Sequence, residues 1–124
     1  KYLEEKYTER KMLNMGMGVV IFAREQKELF RSIFLIDDDF KSVIERALLK
    51  ILETSKDDAR FEHFDKNETV NLILKIWYYI HGYATLVCTE FIKNPSNEEI
   101  KIKVLEVATI FISDELDKKL MQVY

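Results

Sequence analysis

Apolar residues recur at three- and four-residue spacing along nearly the whole chain, and no stretch sustains a period-two alternation, so the pattern predicts helices and no strands. Five helical segments follow. The first covers residues 3–24, with Met12, Met15, Val19 and Phe22 on one face. A short second segment, residues 27–35, carries Leu29, Phe30, Ile33 and Phe34. Asp37, Asp38 and Asp39 open a third, residues 38–54, whose apolar stripe is Phe40, Val43, Ile44, Ala47, Leu48 and Ile51 and whose polar side holds Lys41, Glu45 and Lys50. Residues 55–66 are the most polar stretch and read as a loop, pinned by Phe61 and Phe64 and placed to act as a mobile lid. The fourth helix, residues 67–92, would span about 39 Å at 1.5 Å per residue, and Asn94-Pro95 stops it. The fifth opens with Ser96 and Glu99 in capping-box spacing and continues to about residue 120.

Helices four and five are apolar on two sides, which one core cannot satisfy. Helix four carries Ile73, Trp77, Ile80, Ala84 and Cys88 on one stripe and Leu72, Ile76, Tyr79, Tyr83 and Leu86 on another. Helix five pairs Ile100, Val104, Val107 and Phe111 with Ile102, Leu105, Ile112 and Leu116. The second stripes must meet another molecule or neighbouring helices. A two-fold homodimer is the expected answer, with Tyr79, Tyr83, Leu86, Ile102, Leu105, Ile112 and Leu116 at its interface.

Composition narrows the class further. The 124 residues fit one domain, spanning residues 1–124, and 48% hydrophobic content with three glycines and one proline suits continuous helices. A net charge of −3, with Lys and Arg scattered among acids, lacks the concentrated basic face of a nucleic-acid reader, so the segment should not bind DNA by itself. The apolar run 15–23 is too short to span a bilayer and lacks the flanks of a signal peptide, so no membrane partner is expected. Cys88, the single cysteine, rules out an intramolecular disulfide and reads as a reduced core thiol of a cytoplasmic protein. The chain opens in apparent helical pattern, so a preceding segment of a larger protein is expected.

Candidate chemistry is sparse. No Ser, Cys or Thr nucleophile stands in a recognisable motif, no Gly-rich phosphate loop appears, and the Glu-x-x-His pairs of a di-iron bundle are missing. Asp37, Asp38, Asp39, His63 and Asp65 include metal-ligand types, but the aspartates are better explained as a helix cap and His63 as a loop residue. A non-enzymatic role without cofactor or metal is expected. Trp77 and His81 lie one turn apart and project to the same side, where they either line a pocket or belong to the core. Gly82 is costly in mid-helix, which suggests close approach by a neighbouring helix or ligand. Met12, Met15 and Met17, with Gly16 and Gly18 between them, supply adaptable side chains that suit either a versatile pocket or ordinary packing.

Two segments resemble the C-terminal domain of TetR-family transcriptional regulators. Phe22-Ala23-Arg24-Glu25-Gln26-Lys27-Glu28-Leu29-Phe30-Arg31-Ser32-Ile33-Phe34 is similar to the family's F-A-x-E-x-P-x-L-F run across a helix break, and Ile76-Trp77-Tyr78-Tyr79-Ile80-His81-Gly82-Tyr83-Ala84 is similar to its L-W-x-x-V-H-G-x-A run. Lys27 stands where the family usually has proline, and Tyr78, Tyr79 and Tyr83 add bulk where many members carry small residues. The resemblance implies an all-α, five-helix domain that dimerises through its last two helices as a four-helix bundle. It also implies a small apolar or amphipathic effector, bound among the first three helices and helix four by Met12, Met15, Val19, Phe22, Phe34, Ala47, Ile51, Trp77 and His81. DNA would be contacted only through an N-terminal helix-turn-helix domain absent from this chain. The alternative, from a different class, is a helical dimerisation module with a filled interior and no ligand.

Overall fold

The computed structural model describes residues 2–36 and 40–123. Every regular element among them is helical: α1 (Lys11–Glu25), α2 (Lys27–Arg31) continuing into a π-helical turn (Ser32–Ile36), α3 (Phe40–Ser55), a 3-10 turn (Ala59–Phe61), α4 (Lys66–Cys88) and α5 (Asn97–Val123). The expected aspartate cap at Asp37, Asp38 and Asp39 lies outside the described residues, as does the side chain of Phe40.

The first helix begins eight residues later than its apolar pattern predicts. Residues 2–10 form a non-helical arm instead. Asn14, buried in α1, holds Thr8 in place of a helical turn: the Thr8 N–H donates to Asn14 Oδ1 at 2.7 Å, and Asn14 Nδ2 donates to the Thr8 carbonyl at 2.9 Å. Side-chain hydrogen bonds of this kind compete with the helix ladder and end it. The arm then crosses α1 at Gly18, where an added Cβ would stand 2.2 Å from the Tyr2 carbonyl oxygen. Only glycine allows that approach.

The break after α1 needs no proline. Gln26 leaves helical geometry at φ −126° and ψ 58°, and its N–H closes α1 by donating to the Phe22 carbonyl at 2.7 Å. Before α4, the Asp65 side chain accepts from the Glu68 N–H at 2.8 Å and Glu68 reaches back to the Asp65 N–H at 2.9 Å, a complete capping box at a position the sequence pattern did not single out. At α5 the Glu99 N–H donates to Ser96 Oγ at 3.1 Å, as its spacing predicts. Helix α4 stops at Cys88, four residues before the expected end, because Glu90 adopts a left-handed φ of 63° and Ile92 turns its N–H back to the Leu86 carbonyl.

Two apolar clusters result among the described residues. Helix α1 packs on α4 and α5, and Met17, Val20 and Ile21 meet Phe30, Ala84, Val87, Ile100 and Val104 in the larger one. Gly16 lets α5 approach, since an added Cβ would lie 2.8 Å from Val104 Cγ1. The smaller cluster joins Phe61, Leu72, Ile73 and Ile112, with α3 against it through Leu48, Ile51 and Leu52. Phe61 thereby ties the polar loop to the body, and Asp58 stiffens the turn by accepting from the Arg60 N–H and pairing with its guanidinium at 2.8 Å. Lys119 and Glu68, 2.7 Å apart, and Lys75 with Glu115 pin α5 to α4. No helix among the described residues is long and apolar enough to cross a membrane.

Candidate functional site

A cleft of about 470 Å³ opens between α1, the π turn, α3 and α4. Each wall follows from local sequence. Val19 and Phe22 are three residues apart on α1 and face it together. Ala47 and Ile51 are one turn apart on α3. Phe34 comes from the π turn, whose wider winding turns consecutive side chains by less than an α-helical step, and Trp77 closes the inner side from α4. These six were all nominated from the sequence.

Three nominated residues stand elsewhere. His81 lies behind Trp77, stacked on the indole with ring centres 5.5 Å apart, and sits 6.0 Å from Phe30 and 5.9 Å from Phe34. Burial pushes its pKa below the ordinary imidazole value. It supports the cleft wall without lining the cleft. Met15 is buried facing a separate groove beneath the arm, together with Leu3, Asn14 and Lys50. Met12 packs against the smaller cluster, two turns N-terminal to Val19 along α1. The methionine run therefore does not act as one wall: Met12 meets the smaller cluster, Met15 the groove beneath the arm and Met17 the larger cluster.

The cleft also recruits residues that sequence reasoning missed. Tyr2, Leu3 and Glu4 of the arm form its outer wall, Ile33 and Val43 extend its apolar lining, and Arg46 and Lys50 edge it from α3. Lys50 donates to a carboxylate oxygen of Glu4. Val43, Ala47 and Ile51 formed a legible stripe, and Arg46 and Lys50 follow from its flank. The arm did not follow, because its capture depends on side-chain hydrogen bonds between Thr8 and Asn14 and on the missing Cβ of Gly18, none of which an apolar pattern registers. An aromatic series crosses the site: Tyr2 meets Phe22 at 5.0 Å, Phe22 meets Phe34 at 6.3 Å, and Phe34 meets Trp77 at 6.3 Å.

A Cβ at Gly82 would meet nothing within 4 Å among the described residues, so no described helix of this chain approaches it closely; Gly16 and Gly18 do allow close approach. Of the seven residues expected on a second apolar stripe, Tyr79, Leu86 and Ile102 are exposed and Leu105 and Leu116 are half-buried. Tyr83 and Ile112 are buried in the chain's own clusters. Cys88 is buried, and its thiol donates to the Lys27 carbonyl at 3.3 Å. Among the described residues no three His, Cys, Asp or Glu side chains group as a metal site; His63 is exposed beside Glu62 and Asp65 is spent on its helix cap.

Comparison with protein-family models, with characterised proteins and with solved structures finds no match to this chain.

Proposed function

We propose that this chain is the effector-binding and dimerisation domain of a TetR-type transcriptional regulator, and that the cleft beside Trp77 receives a small apolar or amphipathic molecule. The observation that carries this is the cleft itself: about 470 Å³, within the range of small-molecule sites, with aromatic and aliphatic walls and a few charged groups at one edge. The two sequence runs that resemble the family supply parts of it, Phe22 and Trp77 directly and Phe30 and His81 from behind.

Dimerisation would use the open side of α4 and α5. Tyr79, Gly82 and Leu86 follow one another at helical spacing on α4, and Ile102 and Leu105 stand on α5. An exposed glycine costs a helix about 1 kcal/mol relative to alanine, and a second helix lying across it recovers that cost by close backbone approach. Effector binding would then favour one arrangement of the pair over another through its differential affinity for the two. In a longer parent protein those arrangements would set the separation of two DNA-reading helices.

Mass spectrometry of compounds extracted from the purified protein tests the effector directly. A stoichiometric apolar compound that raises the melting temperature on re-addition supports the effector role. Dimers with no extractable compound and no thermal response support the alternative, a dimerisation module whose cleft is unused.

A further inference from the structure

The charged groups of the cleft are few and gathered at one edge. Arg46 and Lys50 stand one turn apart on α3, flanking the Val43, Ala47 and Ile51 stripe, so two cations border an otherwise apolar trough. Glu4 reaches across from the arm and accepts a hydrogen bond from Lys50 Nζ. That lysine holds the Glu4 carboxyl below the usual carboxylate range. No carboxylate among the described residues pairs with Arg46. The edge thus presents two cations to one anion, and the chain already seats a carboxylate of its own on one of them.

Building on the effector role proposed above, we infer that the cleft takes a single-chain amphiphile with a carboxylate head. Its tail lies along Val43, Phe22, Phe34 and Trp77, and its head pairs with Arg46 while competing with Glu4 for Lys50. The planar guanidinium offers two parallel N–H donors to a carboxylate, a geometry that neither a neutral nor a cationic head reproduces. A cationic head meets two like charges, and a neutral one leaves Arg46 without a charged partner. Displacing Glu4 also removes the ionic latch that joins the arm to α3. Head-group binding is thereby coupled to the arm, which lies on the N-terminal side of α1 and meets the cleft through the Tyr2–Phe22 contact.

The test uses the emission of Trp77, the sole tryptophan, which lines the cleft. Decanoate, decanol and decyltrimethylammonium, three probes with the same tail, are titrated below their micelle concentrations. Decanoate is expected to bind at least about ten-fold more tightly than either of the others, the scale of one charge-assisted hydrogen bond. Arg46→Gln should erase that preference without altering decanol binding, and Glu4→Gln should strengthen decanoate binding by removing the internal competitor. Both positions lie at the cleft edge, and unchanged melting temperatures confirm that the variants fold. Equal affinity for all three probes, no effect of Arg46→Gln on decanoate, or weaker decanoate binding by Glu4→Gln overturns the carboxylate assignment while leaving the cleft as an apolar site. Binding of none of the three overturns the effector role as well.

Discussion

The imidazole of His81 stacks on the indole of Trp77, with ring centres 5.5 Å apart and planes inclined by 27°. Because the two residues are one turn apart on α4, the helix fixes this stack, and the stack in turn fixes the face that Trp77 shows to the cleft. Burial of the imidazole among Trp77, Phe30 and Phe34 removes the water that would solvate its charged form.

A pH dependence follows. Burial lowers the His81 pKa in the folded chain below its ordinary 6.5. The unfolded chain therefore binds the proton more readily, and stability falls as pH drops below about 6.5 until the folded-state pKa is reached. The urea midpoint should be higher at pH 8 than at pH 5.5 by more than in His81→Gln. Equal pH dependence in the two proteins contradicts the assignment.

Gly18 and Gly82 should respond oppositely to alanine. At Gly82 the added Cβ meets open space, so Gly82→Ala gains up to about 1 kcal/mol of helix propensity in the monomer. At Gly18 it collides with the Tyr2 carbonyl, so Gly18→Ala lifts the arm and should expose residues 2–10 to limited proteolysis. Melting curves and cleavage patterns of the pair check both directions; an arm equally protected in Gly18→Ala contradicts the crossing.

Ile102 and Ile112 separate association from folding. Ile102 is 53% exposed, whereas Ile112 is 8% exposed and packs with Phe61, Leu72 and Ile73. Ile112→Glu buries an unpaired charge and should cost roughly 4 kcal/mol or unfold the chain. Ile102→Glu should leave the fold intact and shift a dimer toward monomer in sedimentation. A wild-type chain that stays monomeric at micromolar concentration removes the dimer proposal.

The helical class was legible because the three- and four-residue spacing is continuous and turn residues are few. The walls contributed by Val19, Phe22, Ala47, Ile51 and Trp77 were legible for the same reason, since each sits on a stripe. The start of α1 was not, because Tyr2, Leu3 and Tyr7 continue the apolar pattern while Thr8 and Asn14 interrupt the backbone through side-chain hydrogen bonds that periodicity does not register. Ile112 was misassigned because α5 is apolar on two sides and the smaller cluster, brought in by Phe61 from the loop, uses part of the second side. The edge formed by Glu4, Arg46 and Lys50 depends on the arm lying beside α3, a long-range contact that no local pattern encodes.

The proposed effector role is tested most directly by thermal melting of the wild-type chain and Ala47→Phe against a panel of apolar and amphipathic compounds. Ala47 lines the cleft and is only half-buried, so a phenylalanine there fills the opening rather than overpacking a core. At 100 times its dissociation constant, a bound compound should stabilise the wild-type chain by about 2.7 kcal/mol. Ala47→Phe should melt near the wild-type temperature and lose that rise. A panel that shifts neither protein, or shifts both equally, contradicts a binding site in the cleft beside Trp77.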